Sequence, residues 1–166
     1  MYDDILVPTD GSEAAAEAVE RAIDLATTYD ARLHVLYVVE PVYTADFDVQ
    51  GVTDALEAEG REATAAIAER ADAAGIEATS AIEFGTPHRE ILAYADEHGV
   101  DLIVMTTHGR TGIDRYLLGS VTEKVVRTAE VPVMTIHARE AAEGDGAEDA
   151  DDETADPTAA RDAPSN

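Results

Sequence analysis

Short apolar runs alternate along this chain with longer stretches in which apolar residues recur every three or four positions. Runs of the first kind are typical of buried strands, and stretches of the second kind are typical of amphipathic helices. The apolar runs predict five strands: Ile5–Val7, Leu33–Val39, Glu77–Phe84, Leu102–Thr106 and Val131–His137. The periodic stretches predict four helices: Ser12–Tyr29, Thr53–Ala74, Pro87 to about His98 with Thr86 as its N-cap, and Ser120–Thr128. The longer Glu40–Gly51 connection, which contains Tyr43 and Phe47, is predicted to act as a flap.

Strands and helices that alternate with mostly short connections predict an α/β domain with an open, doubly wound, five-stranded parallel sheet, a Rossmann-like arrangement. The expected strand order is 3-2-1-4-5. In that order the first and fourth strands are neighbours whose connections leave on opposite faces. Ligands of open α/β sheets bind beyond the carboxyl ends of the strands at this switch point. Residues Pro8–Ser12 and Thr106–Gly119 are expected to lie there.

The segment after the fourth strand has the composition of a phosphate-binding loop. Glycines at Gly109, Gly112 and Gly119 allow a close approach of the backbone, and Ser120 then begins a helix. The N–H groups of Ser120, Val121 and Thr122 would lie at the helix N-terminus, where they can donate to phosphate oxygens. On the other side of the crevice, Asp10 could accept from a ribose hydroxyl or hold a phosphate-bound Mg²⁺. The crevice is therefore predicted to bind a nucleotide.

Helix capping explains part of the same pattern. Ser120-Val-Thr-Glu123 and Asp10-Gly-Ser-Glu13 both fit a capping box, in which Ser120 and Asp10 cap their helices. The chain has no G-x-x-x-x-G-K-[ST] loop and no G-x-G-x-x-G after its first strand, which disfavours a dinucleotide cofactor. There is also no G-x-S-x-G elbow for serine hydrolase chemistry. The five histidines lack metal-ligand spacing, and His108 in the glycine loop is interpreted as a phosphate contact or a packing residue.

The formal net charge of −25 excludes several classes of partner. Nucleic acids and anionic membranes require patches of Lys and Arg, whereas the only lysine of this chain is Lys124. Acidic residues on every predicted helix keep a surface solvated in concentrated salt, and salt screens their mutual repulsion, so we expect a halophilic source. The chain has no cysteine, no apolar run of the roughly 20 residues that a membrane span needs, and no signal-peptide pattern at Met1–Asp4. A soluble cytoplasmic protein is expected.

The composition divides the chain into two parts. Residues 1–137 contain all the predicted strands and helices. Residues 138–166 contain ten acidic residues and no Val, Ile, Leu, Phe or Tyr. Such a segment cannot bury enough apolar surface to offset its ordering entropy, so an acidic disordered tail is predicted.

Three segments make the chain resemble the universal stress proteins. They are I-L-V-P-T-D-G-S at Ile5–Ser12, Y-V-V-E at Tyr37–Glu40, and T-T-H-G-R-T-G-I-D-R-Y-L-L-G-S-V-T at Thr106–Thr122; V-P-V-M-T-I at Val131–Ile136 also fits. The ATP-binding members of that family carry G-x2-G-x9-G-[ST]. Gly109, Gly119 and Ser120 match this motif, whereas Thr106 stands at its first glycine position. A threonine there either crowds the site or adds a hydroxyl contact.

The resemblance implies a set of ATP-binding residues and an assembly. The implied residues are Pro8, Thr9, Asp10, Val38, Met105, Thr106, Gly109, Gly119, Ser120, Val121 and Thr122. The expected cofactor is ATP with Mg. The family's homodimer would form through Val131–His137, an apolar edge strand that antiparallel pairing about a two-fold axis would cover.

These features favour a regulatory ATP- or adenine-nucleotide-binding module of a stress response, with an unknown protein partner. No arginine finger or positioned base is evident, although Arg110 and Arg115 lie near the predicted phosphates, so any hydrolysis should be slow. The alternative is a nucleotide-free dimeric scaffold that acts through protein contacts, which Thr106 favours. An adenylate-handling enzyme is a third interpretation. It would be expected to carry an H-I-G-H or S-G-G-x-D-S loop after its first strand, whereas P-T-D-G-S stands there.

Overall fold

The computed structural model describes residues 1–41, 49–107 and 118–137. Strands and helices alternate through these ranges in the predicted order. The strands are β1 (Asp4–Thr9), β2 (Arg32–Val39), β3 (Ala78–Phe84), β4 (Leu102–Thr106) and β5 (Val133–Ile136). The helices are α1 (Glu13–Tyr29), α2 (Val49–Ala73), α3 (Pro87–Glu97) and α4 (Ser120–Thr128).

The five strands form one parallel sheet in the order β3-β2-β1-β4-β5, which confirms the predicted α/β architecture and topology. β1 lies at the centre, with Ile5 level with Leu33 of β2 and with Leu102 of β4. The connection from β1 goes to β2 on one side, and β4 lies on the other side. The carboxyl ends of β1 and β4 therefore frame the switch point.

Two apolar layers cover the sheet, because successive side chains of each strand point to opposite faces. On one face Ile5 and Val7 of β1 pack with Val19 of α1 and with Ile67 of α2. On the other face Leu6 of β1 packs with residues of α3 and α4, including Val125. The central strands are buried on both faces, which explains why they read as continuous apolar runs.

The first turns of α1 and α4 do not support the alternative in which Asp10 and Ser120 serve as helix caps. Ser12, not Asp10, is the N-cap of α1, since its Oγ accepts from the Ala15 N–H at 3.3 Å. Gly119, not Ser120, is the N-cap of α4; its extended backbone enters the helix, and no side-chain bond caps that end. Ser120 is thus the first helical residue. α3 begins at Pro87 as predicted, but the Thr86 side chain makes no capping bond.

α2 begins four residues before the predicted position. Val49, Gln50 and Gly51 are helical, so the connection predicted as a flap extends at most to residue 48. Tyr43 and Phe47 lie outside the described residues, as does the predicted acidic tail at 138–166. In the middle of α2, Gly60 packs against the ring of Tyr37. A β-carbon at this glycine would lie 2.5 Å from the ring Cδ1.

A polar network lies at the amino ends of the strands, opposite the switch point. Asp4 accepts from the Arg32 guanidinium at 2.8 Å and from His34 Nε2 at 3.0 Å. His34 Nδ1 lies 3.1 Å from the Tyr94 hydroxyl, and the Tyr94 ring stacks on His98 at 3.8 Å between centroids. Burial would by itself raise the pKa of Asp4, but the hydrogen bonds and charges of Arg32 and His34 lower it below the usual value.

Candidate functional site

A cavity of about 250 Å³ opens at the carboxyl ends of β1 and β4, where the topology places the switch point. Its walls come from β1, β2 and β4, from the segment after β1, and from the first turns of α1, α3 and α4. The lining residues are Pro8, Thr9, Asp10, Ala15, Leu36, Val38, Pro87, Met105, Thr106, Gly119, Ser120, Val121 and Thr122.

One part of the cavity is apolar. Leu36 and Val38 of β2 are two residues apart, so they share a face of the sheet. Met105 of β4 belongs to the same core layer as Leu36, and Pro87 comes from the start of α3. Leu36 and Met105 are buried and Val38 is half-buried. This part is suited to the flat apolar faces of an aromatic ring system.

The turn after β1 forms a polar wall. Asp10 Oδ1 accepts from the Ser12 hydroxyl at 2.6 Å and from the Ser12 N–H at 3.0 Å. The Gly11 N–H donates to Thr9 Oγ1 at 3.1 Å, and Gly11 has a φ of +75°, which a glycine adopts without strain. These bonds fix the Asp10 carboxylate at the cavity wall, and they explain why D-G-S follows the strand.

The first turn of α4 forms the opposite polar wall. N–H groups of a first helical turn have no partner within their own helix, and those of Ser120, Val121 and Thr122 are groups of this kind, which can donate to an anion. The Thr122 hydroxyl donates to the Thr106 carbonyl at 2.8 Å, and the Gly119 N–H donates to the Thr107 carbonyl at 2.6 Å. Two bonds therefore join the helix start to the end of β4.

The structure brings ten of the eleven predicted site residues into this one cavity; the eleventh, Gly109, lies outside the described residues. Gly112, His108, Arg110 and Arg115 lie outside them as well. Among the lining residues that the structure describes, Asp10 carries the only charged side chain.

Sequence reasoning missed three lining residues: Ala15, Leu36 and Pro87. Leu36 precedes Val38 by two positions, so strand alternation alone places it on the same wall. Pro87 begins the helix after β3, and the starts of such helices lie near the carboxyl edge of the sheet. Both signals were present in the sequence. Nothing local marks Ala15 as more than a residue on the buried side of α1.

The described parts of the chain contain no group of three His, Asp or Glu side chains that could hold a metal ion. Within the same ranges, no helix is long and apolar enough to cross a membrane.

Fold and cavity together define an open α/β domain with a ligand crevice at its switch point. The sequence model of the universal stress protein family matches residues 1–137. The chain belongs to the universal stress protein family.

Individual relatives support this assignment. Universal stress protein MJ0531 of Methanocaldococcus jannaschii is 36% identical over 140 residues, which cover 82% of each chain. The solved structure of MJ0577 from the same organism superposes with a TM-score of 0.77 at 30% identity, covering 84% of this chain and 99% of that one. A universal stress protein solved in complex with cAMP gives a TM-score of 0.67 at 27% identity, with coverage of 83% and 99%.

Proposed function

We propose that this chain is a regulatory adenine-nucleotide-binding module of a stress response and that its cavity takes ATP with Mg²⁺. The observation that carries the proposal is the convergence of ten of the eleven residues that the family resemblance implies on one cavity, with an apolar wall and a helix N-terminus. A family member with bound cAMP at 27% identity supports the same class of ligand.

Each part of the cavity matches one part of the nucleotide. Leu36, Val38 and Met105 would contact the adenine. Asp10, held by Ser12, would accept from a ribose hydroxyl, since a carboxylate accepts but does not donate. The backbone N–H groups at the start of α4 would donate to phosphate oxygens.

The residue set also fits Mg²⁺ carried by the phosphates. Mg²⁺ in nucleotide sites is usually held by one or two carboxylates together with phosphate oxygens and water. As the alternative to its ribose contact, Asp10 would supply one such carboxylate at the cavity wall. Bound Mg²⁺ would neutralise part of the phosphate charge, which matters in a chain with a net charge of −25.

The test is equilibrium binding of Mg-ATP to the full chain in molar KCl by calorimetry. Saturable binding is expected, and Val38→Trp should abolish it because the larger side chain fills the apolar wall. Val126→Trp is the matched control, since Val126 is 45% exposed on α4 and does not line the cavity. No binding at millimolar ATP, with the protein folded, would refute the proposal.

We also propose that the chain forms a homodimer through β5, the assembly that the resemblance to the family implies. β5 is an edge of the sheet and pairs with β4 on one side. The Pro132 and Ile136 carbonyls accept from the N–H groups of Ile103 and Thr107, so the backbone polar groups of even-numbered residues in this segment point toward β4. Thr135 is odd-numbered, so its N–H points away from β4, to the open edge where a second copy could pair.

This geometry gives a selective test of the dimer. Thr135→Pro removes the outward N–H while the bonds to β4 remain, and proline is tolerated at such edge positions. We expect light scattering to show a dimer for the unmodified chain and for Thr135→Val, and a monomer for Thr135→Pro. A monomer in all three proteins, or a dimer in all three, would contradict pairing through this edge.

A further inference from the structure

A second groove lies between the ends of α3 and α4. Gly99 and Val100, which lead from α3 into β4, line it together with Val131, which leads from α4 into β5. Its volume of about 480 Å³ is within the roughly 300 to 1,000 Å³ of most ligand sites. Because all five strands are parallel and begin at the same edge, this α3–α4 groove lies at the opposite edge of the sheet from the cavity at the switch point.

The floor of the α3–α4 groove is aliphatic. Ala95 and Val100 are buried in the core layer beneath α3 and α4. Leu92 and Val131 pack against this layer and are half-buried. Among the described residues that line the groove, none is aromatic. The floor is therefore suited to aliphatic side chains rather than to a flat ring.

The rim of the groove carries negative charge. Its charged lining residues are Asp96 and Glu130, which are exposed and form no ion pair with another described residue. α3 and α4 both end beside them, and the C-terminal end of a helix attracts cations and repels acidic groups. The last turn of α3 has no basic residue, and the ring of its C-cap His98 stacks on Tyr94. Asp96 therefore does not stabilise its own helix end, and the rim is complementary to a cation.

This chain does not supply that cation from its neighbouring helix or from a second copy. Arg127 in the last turn of α4 pairs with Glu123 at 3.1 Å, one turn back along the helix, and does not line the groove. A second copy would bring its own net charge of −25 to the same acidic rim. Charge complementarity therefore favours a different, basic protein.

We propose that the α3–α4 groove is a docking site for a basic amphipathic segment of a partner protein. Aliphatic side chains of that segment fill the floor, and its Lys or Arg side chains pair with Asp96 and Glu130. An apolar face laid into a hydrophobic groove is a common mode of recognition of amphipathic helices. The inference does not depend on the proposed nucleotide site, because a partner bound at this edge leaves the cavity at the other edge open.

The experiment measures fluorescence anisotropy of a labelled helical peptide of Lys and Leu, with the leucines on one face, in molar KCl with the full chain. Saturable binding is expected. Asp96→Asn combined with Glu130→Gln should weaken it about two- to tenfold, the size expected for two exposed ion pairs. Ala93→Phe should abolish it, because Ala93 is an exposed lining residue and the larger side chain fills the groove.

Each variant has a matched control on α2, at exposed residues outside the groove. Glu62→Gln combined with Asp72→Asn changes the net charge by the same amount, and Ala65→Phe adds the same ring to a helix surface. Both controls should bind the peptide as the unmodified chain does. If Ala93→Phe does not fold, a peptide with Ser in place of Leu tests the apolar floor, and it should not bind.

The inference is overturned if the Lys–Leu peptide does not bind, or if the Lys–Ser peptide binds equally well. It is also overturned if the control pair of charge changes weakens binding as much as the changes at Asp96 and Glu130, which would show a general attraction to an acidic surface. A dimer for the unmodified chain and a monomer for Ala93→Phe in light scattering would assign the groove to a second copy, and this result would overturn the inference as well.

Discussion

Replacing Asp4 by asparagine tests the polar network at the amino ends of the strands. Asp4 is 8% exposed and accepts from both Arg32 and His34. Asparagine has nearly the same shape, but it carries no charge and has only one acceptor oxygen. We therefore expect the variant to fold and to lose one of the two hydrogen bonds together with the ionic attraction.

The two partners of Asp4 contribute unequally to this loss. The Arg32 side chain is 57% exposed, so solvent screens its ion pair with Asp4 and the pair contributes little to stability. The His34 side chain is 9% exposed, and its bond to a neutral amide oxygen is about 1 kcal/mol weaker than its bond to a carboxylate. Asp4→Asn should therefore lower the free energy of unfolding by about 1 kcal/mol, which corresponds to roughly 2–4 °C in Tm. Most of this loss should persist in molar KCl, because salt screens the Arg32 pair more than the buried bond.

The destabilisation caused by Asp4→Asn should depend on pH. The pKa of Asp4 is lower in the folded chain than its ordinary value, so its contribution is complete above about pH 4. That contribution is lost as the pH falls through the folded-state pKa, where the unmodified carboxylate is protonated as well. The difference in unfolding free energy between the unmodified chain and the variant should therefore shrink on acidification.

Urea unfolding in molar KCl at pH 7 and at successively lower pH measures this difference. Asp24→Asn is the control, since Asp24 is 68% exposed and its pairing with Arg21 at 3.5 Å lies at the surface. The reasoning would be refuted by a loss below about 0.5 kcal/mol at pH 7, the size of an ordinary surface substitution. A loss that does not change with pH would refute it equally.

Three further predictions concern packing, the cavity and salt. Gly60→Ala should lower Tm in a thermal melt, because the added β-carbon would overlap the Tyr37 ring. Such overpacking costs about 1–3 kcal/mol, which outweighs the roughly 1 kcal/mol by which alanine is preferred over glycine in a helix. An unchanged Tm would contradict this packing. Thr122→Val should reduce the free energy of unfolding by about 1 kcal/mol, because it removes the hydrogen bond from the Thr122 hydroxyl to the Thr106 carbonyl. It should also weaken ATP binding in calorimetry, because that bond fixes the start of α4. An unchanged free energy of unfolding and an unchanged ATP affinity would contradict these roles of the bond. Tm should rise as the KCl concentration increases from low to molar, because salt screens the repulsion among the acidic side chains of a chain with a net charge of −25. A Tm that stays constant or falls would contradict the expected halophilic character.

Local sequence predicted the strands well and the helix starts less well. The three central strands β1, β2 and β4 are buried, so their apolar runs follow directly from their burial. Asp10 and Ser12 are both good N-cap residues, as are Gly119 and Ser120. Propensity alone does not choose between the members of each pair, and the folded chain has Ser12 and Gly119 as the N-caps.

The sequence by itself determined the alternation of elements, the parallel sheet and the two segments that frame the crevice. These follow from the periods of strand and helix and from glycine positions, which are properties of neighbouring residues. Tertiary structure decided which distant side chains meet: Ala15 with the ends of the strands in the cavity wall, and His34 between Asp4 and Tyr94. It also fixed Thr106 against α4 and β5, because three separate parts of the chain converge there only when the sheet has formed.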